Sequence, residues 1–300
     1  AGSAGDLLDH LGPQDAMAFT GSSGTGAKLR SHPTVVKHGV QTNVEADSLN
    51  AAVLAPDVEP GSDAWHLFVR NVVLDIRQKT GQKCTAVRRV LLPENRLDDA
   101  RDALLAALGD IVTGDPSDAT TTMGPLASAQ QLLDVREGID RLAAAGDILH
   151  GGSMAVAERG YFVGPTLVQA RDAEADVVHD LEVFGPCATI LAYDGSASRA
   201  AALVARGQGG LVSSVYSNDT AWTRDVVLGM APWHGRLWIG SDKAAEQALP
   251  PGTVLPASIH GGPGRAGGGE VLGALRGLSL YMQRVALQGY KGFVENTFGA

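Results

Sequence analysis

The feature that most constrains this chain is an alternation, kept up over most of its length, of short apolar runs with stretches of helical period. From Asp63, the residues Ala64, Trp65, Phe68, Val69, Val72, Val73 and Ile76 recur at helical spacing, with Asp63 as the expected N-cap and Gly81 just past the end. Residues 86–92 then run rich in Val and Leu and stop at Pro93, as a buried parallel strand does. A helix over 95–108 follows, Ser128 caps another to Ala145, strands are expected at 166–168 and 187–193, and a helix at 196–206. Strands at 211–216 and 237–239 with a helix between them continue the pattern. Strands separated by helices predict an α/β fold, a mostly parallel sheet with helices on its faces.

The two ends differ from this middle. At the front, the apolar run at 17–20 is followed by the glycine-rich stretch 21–26 and then by Ala27 and Lys28, which reads as strand, turn and helix start. A second extended stretch is expected over 35–45. In the tail, residues 260–269 (HGGPGRAGGG) are too glycine-rich for a regular element, and residues 278–288 (LSLYMQRVALQ) alternate as one strand. That strand has no evident partner and is expected to pair across a subunit boundary, giving a homo-oligomer.

Composition narrows the function. Twenty-four basic against 33 acidic residues leave a net charge of −9, which disfavours a nucleic-acid binder and favours a small-molecule substrate. No apolar run approaches a membrane span and no basic-then-apolar leader opens the chain, so a cytoplasmic, non-membrane protein is expected. HExxH pairs and a GxSxG elbow are both missing, which disfavours a zinc or serine hydrolase, and no metal site is expected.

Only two cysteines occur, with no CxxC spacing. Cys187 heads the apolar run CATILAY and reads as a buried small hydrophobe. Cys84 lies in the loop Gly81-Gln82-Lys83-Cys84-Thr85 between a helix and a buried strand, with Arg88 and Arg89 soon after; cationic neighbours favour a thiolate, though a lone cysteine is more often inert. Glu45 could activate water as a general base, or be a solvated turn acid; Glu182, before a Gly-Pro turn, could equally be a surface charge. The stretch 21–26 could present backbone N–H groups to a phosphate, although it matches neither GxGxxG nor the P-loop.

These residues in this order resemble the aldehyde dehydrogenase superfamily over essentially the whole chain. The segment Phe19-Thr20-Gly21-Ser22 is similar to the family's turn at the cofactor pyrophosphate, Glu45 falls at its general base, GQKCT at 81–85 at its nucleophile Cys84, and Glu182-Val183-Phe184-Gly185-Pro186 at its E-x-F-G-P. In that family the glutamate matching Glu182 contacts the nicotinamide ribose, and the phenylalanine matching Phe184 lies near the ring. EADSLN at 45–50, GQKCTAVRR at 81–89 and HGGPGRAGGGEVLG at 260–273 resemble the branch that acts on CoA-bound semialdehydes in aromatic-acid degradation, with the stand-alone enzymes a better match than the bifunctional ring-opening ones. The resemblance implies oxidation of an aldehyde, CoA-linked in that branch, by NADP or NAD. Cys84 is the implied nucleophile, its backbone N–H an oxyanion donor, and Glu45 the base that hydrolyses the thioester.

The resemblance also implies three parts: the end of a Rossmann-like cofactor domain at 1–50, a catalytic domain at 51–252, and a glycine-rich turn with an oligomerisation strand at 253–300, assembling as a dimer or tetramer. The family's usual E-L-G-G-K is here Glu45-Ala46-Asp47-Ser48-Leu49, and the substantial N-terminal part of such an enzyme is missing from this sequence. The chain is therefore expected to be a fragment of a full enzyme, weakly active or inactive alone. A non-catalytic assembly subunit and a phosphate-binding module centred on 21–26 stay open beside the enzyme.

Overall fold

The computed structural model describes residues 4–157, 159–270 and 274–299; positions 271–273, the end of the tail motif, lie outside them. Two sheets organise the chain. The smaller pairs β1 (Ala16–Thr20) with β2 (Gln41–Glu45) in parallel, connected through α1 (Ser23–Arg30) and α2 (Pro33–His38). The larger has seven strands in the order β5-β6-β7-β4-β3-β8-β9. In chain order its elements are β3 (Ala51–Leu54), α3 (Asp63–Arg77), β4 (Arg89–Pro93), α4 (Leu97–Gly109), α5 (Ala129–Ala145), β5 (Gly146–His150), β6 (Thr166–Ala170), α6 (Asp176–Asp180), β7 (Cys187–Tyr193), α7 (Ala197–Ala205), β8 (Gly210–Tyr216), α8 (Thr220–Met230) and β9 (His234–Gly240). Among the described residues, only its β5–β6 pairing is antiparallel.

Apolar residues on both faces of the strands explain why these strands read as continuous runs. Val53, Leu91, Leu191 and Val215 turn to a core shared with α5, α7 and α8. Their neighbours Ala52, Leu54, Val90, Leu92, Ile190 and Tyr216 turn to a second core under α3 and α4. Central β4 thus has helices on both sides, a doubly wound arrangement.

Several boundaries differ from the sequence expectation. Ser62 caps α3 through a hydrogen bond from the Trp65 N–H to its Oγ, in place of Asp63. The stretch expected to be extended from 35 is helical to His38, started by Pro33 at its first position and stopped by Gly39 in the left-handed region. The glycine-rich 21–26 is no free turn: Ser22 caps α1 and the following glycines lie inside its first turns. Residues 278–288 do not form one strand either. Leu278 ends α9 (Ala274–Leu278), residues 279–281 continue as a 3-10 turn, and 282–290 runs without a strand partner among the described residues before α10 (Lys291–Phe298).

Candidate active site

The site lies where the carboxyl end of β2 meets the amino ends of β3 and β4. Glu45 is the last residue of β2 and is buried. Ser48 and Asn50 lead into β3, while Cys84 sits in the loop between α3 and β4. That loop is bent hard: Lys79, Thr80 and Gly81 all have positive φ. At Gly81 a side chain is impossible, since a Cβ would stand 2.0 Å from the Gly185 carbonyl oxygen. The neighbours hold the bend in place. Thr80 Oγ1 donates to the Gly124 carbonyl at 3.0 Å, Lys83 Nζ meets Asp75 Oδ1 at 2.7 Å, and Arg88 donates to the carbonyls of Gly81 and Lys83 at 2.9 and 3.2 Å. Asn50 Nδ2 donates to the Cys84 carbonyl at 2.8 Å, which fixes the peptide that carries the thiol.

Cys84 faces two cavities. One, of about 520 Å³, is lined by Gly21, Ser22, Glu45, Glu182 and Phe184 among others. The other, of about 420 Å³, is lined by Lys79, Lys83, Val254 and His260 among others. Cys84 is the residue common to both. All six residues singled out from sequence, Cys84, Glu45, Gly21, Ser22, Glu182 and Phe184, therefore meet at the first cavity.

The cations beside Cys84 are not the expected ones. Arg89 is fully buried on the far side of β4, donating to the carbonyls of Leu49, Leu203 and Val204, and burial lowers its pKa to about 9. Arg88 turns to the first cavity, where its Nε lies 3.6 Å from Glu182 Oε1 and its guanidinium stacks 5.4 Å from the centre of the Phe184 ring. The group near the thiol is His260, which sequence reasoning did not single out as a site residue. Its Nε2 lies 3.9 Å from Cys84 Sγ and 3.3 Å from Glu45 Oε1. Those hydrogen bonds, to Cys84 first and Glu45 second, raise the His260 pKa to about 9. Burial pushes the Glu45 carboxyl up, but the bonds to His260 and Cys84 prevail and hold it below the usual range.

The tail's glycine run delivers His260. The Ala46 N–H donates to the Ala266 carbonyl at 3.0 Å and the Gly269 N–H to the Val44 carbonyl at 3.1 Å, so the segment lies along β2. The approach is too close for side chains: at Gly267, φ is 101° and a Cβ would stand 2.2 Å from the Val44 carbonyl oxygen.

At the first cavity's other wall, the start of α1 is already satisfied from within. Asp47 accepts from the Ser23 N–H at 3.1 Å, and Ser22 Oγ from the Thr25 N–H at 3.2 Å. A phosphate there would share this cap with Asp47, which weakens a phosphate-binding module centred on 21–26. Glu182 accepts from the Ser48 N–H at 3.1 Å, and burial raises its pKa although Arg88 opposes the shift. Cys187 is buried at the start of β7, and burial pushes its thiol up to about 12. No helix among the described residues is long and apolar enough to cross a membrane.

The sequence pattern of the aldehyde dehydrogenase family matches residues 3–262. The chain belongs to that family. It is 40% identical over 269 residues to 3,4-dehydroadipyl-CoA semialdehyde dehydrogenase of Aromatoleum evansii, covering 87% of this chain and 52% of that protein. It is 40% identical over 169 residues to Protein MaoC of Klebsiella aerogenes, covering 56% of this chain and 50% of that one. Among solved structures, betaine aldehyde dehydrogenase of Staphylococcus aureus in complex with NAD+ has the same fold, with a TM-score of 0.78 at 23% identity over 93% of this chain and 52% of the other. This family member thus spans about half the length of the curated relatives it matches.

Proposed function

We propose that this chain carries the reacting centre of an NAD(P)-dependent aldehyde dehydrogenase, which oxidises an aldehyde to the carboxylic acid through a thioester on Cys84. The observation that carries the reading is the position of Cys84 between two cavities, with Glu45 and His260 at its sulfur. In the proposed reaction the aldehyde enters from the side of His260. The Cys84 thiolate adds to the carbonyl carbon, and the Cys84 backbone N–H donates to the oxyanion.

The first cavity suits a dinucleotide: it is large, and Gly21 and Ser22 line one wall while Glu182 and Phe184 line the other. We assign those four residues to holding NADP or NAD, with Glu182 at the ribose and Phe184 by the ring. Bound there, the nicotinamide supplies the hydride acceptor. Glu45 then takes a proton from the water that hydrolyses the thioester, and Asn50 keeps the Cys84 peptide in register throughout. The base favours hydrolysis over transfer of the acyl group to a thiol.

The likeness to the Aromatoleum evansii protein supports a CoA-linked semialdehyde as substrate, and we propose for it a place in aromatic-compound degradation. We further propose a cytoplasmic homo-oligomer, a dimer or tetramer, and the division into a cofactor-domain portion at 1–50, a catalytic portion at 51–252 and an assembly tail at 253–300. The test is reduction of NADP or NAD with a medium-chain aldehyde. Cys84→Ala abolishes it and Cys187→Ala retains it; oxidation that survives Cys84→Ala overturns the proposal.

A further inference from the structure

Among the described residues, Glu45, Cys84 and His260 bring together three side chains of the kinds that ligate metals. Each offers one ligand atom, and these atoms all lie within 4.8 Å of one another. A tetrahedral Zn2+ with bonds of about 2.0–2.3 Å places its ligand atoms roughly 3.3–3.6 Å apart. His260 Nε2 and Glu45 Oε1 already stand at 3.3 Å, Sγ needs to close by a few tenths from its 3.9 Å to Nε2, and the separation of Sγ from the Glu45 carboxylate, within 4.8 Å, needs to close by up to about 1.3 Å. The side chains can make that adjustment, because Cys84 and His260 line an open cavity.

The donor chemistry selects the metal. A thiolate, an imidazole and a carboxylate suit Zn2+, whereas Mg2+ and Ca2+ take oxygen ligands. Two anionic ligands balance the dication, and three protein ligands leave a fourth position open to water from either cavity. Of the nearby cations, Lys83 is paired with Asp75, and Arg236 donates from Nη2 to the Pro251 carbonyl while its Nε and Nη1 have no hydrogen-bond partner. Lys79 lines the same cavity from the bent loop, and Arg236 is close enough to Cys84 to feel its charge.

We propose that Glu45, Cys84 and His260 bind one Zn2+ ion, which takes Cys84 Sγ out of reaction reversibly. Binding forms one bond from each residue to the metal and releases the thiol and imidazolium protons to solvent; no electron moves. The meaning of this site as an inhibitory one rests on the proposed dehydrogenase reaction, but metal binding itself does not.

The test uses the reduced protein with Zn2+ alone and, as a spectroscopic probe, Co2+ alone. One equivalent of Co2+ gives a thiolate-to-metal charge-transfer band that Cys84→Ser removes. Zn2+, measured by competition with a chelator, binds about 100-fold more weakly to His260→Gln. In the unmodified protein, one equivalent of Zn2+ protects Cys84 from iodoacetamide and a chelator restores its reactivity, a readout that needs no variant to fold. Alkylation unaffected by Zn2+, a Co2+ complex without the thiolate band, or equal Zn2+ affinity in a folded His260→Gln protein overturns the proposal. If the metal signatures appear and no aldehyde is oxidised, the reaction fails and the metal site stands; aldehyde oxidation insensitive to Zn2+ is the reverse.

Discussion

Arg88 and Arg89 adjoin one another at the start of β4, and strand pleating sends their guanidinium groups to opposite faces. Arg88 thereby braces the Cys84 loop from the cavity side, while Arg89 ties the far face to α7 and to His179. His179 accepts from Arg89 at Nδ1, at 3.0 Å, and donates from Nε2 to the Ala173 carbonyl at 2.8 Å, so it is held neutral. Burial, with the Arg89 charge opposing protonation, lowers its pKa from 6.5 to about 4. The unfolded chain therefore binds the extra proton first, and the stability His179 contributes is full above pH 6.5 and lost as pH falls towards about 4. His234, half-buried and lowered to about 4 by desolvation, adds to the same loss. We expect the melting temperature to fall across that window and His179→Gln to flatten the fall; a wild-type profile flat from pH 6.5 to 4 contradicts this.

At the scale of elements, the bend between α3 and β4 decides whether Cys84 is presented at all. Asp75, near the end of α3, accepts from Lys83 at 2.7 Å and from the Val87 N–H at 3.2 Å, pinning both sides of the cysteine. Asp75→Ala takes the carboxylate from the half-buried Lys83 ammonium, which keeps its bond to Gln78 Oε1 at 2.8 Å, and takes the acceptor from the buried Val87 N–H, and we expect a loss of about 3 kcal/mol in urea unfolding. A loss below about 1 kcal/mol would show the pair to be dispensable. Much of this architecture was legible because its signals are local. Ser128 and Ser196 announce the starts of α5 and α7, and the run 187–193 is β7 to the residue. The α2 helix was missed because Val35 and Val36 suggest a strand, although Pro33 and Gly39 bracket a helix there. β3 was missed because four residues, two of them alanine, carry too little pattern. His260 left no local trace: it stands 176 positions from Cys84 in sequence, and the glycines that bring it in read only as a loop.

At the scale of the molecule, the site belongs to neither sheet alone. The carboxyl end of the small sheet supplies Glu45, the amino edge of the large one supplies Cys84, and the tail closes the gap with His260. Beyond that closure the tail turns apolar side chains outward: Val285, Leu287, Tyr290 and Phe293 are all exposed, Val285 at 79%. An extended segment with exposed apolar side chains and no strand partner among the described residues fits the assembly proposed above. Val285→Asp combined with Leu287→Asp is expected to lower the mass seen by light scattering to that of one chain without changing the circular dichroism spectrum. An unchanged assembly removes the tail from the interface.

In the proposed reaction Cys84 becomes acylated and Glu45 releases the acyl group. Its most direct test is intact-mass and peptide mass spectrometry of the Glu45→Gln protein after mixing with an aldehyde and NADP or NAD. We expect an adduct of the aldehyde's mass less two hydrogens on the peptide containing Cys84, persisting in the variant and cleared in the wild type. Reduced cofactor formed with no such adduct, or an adduct on the Cys187 peptide, contradicts it.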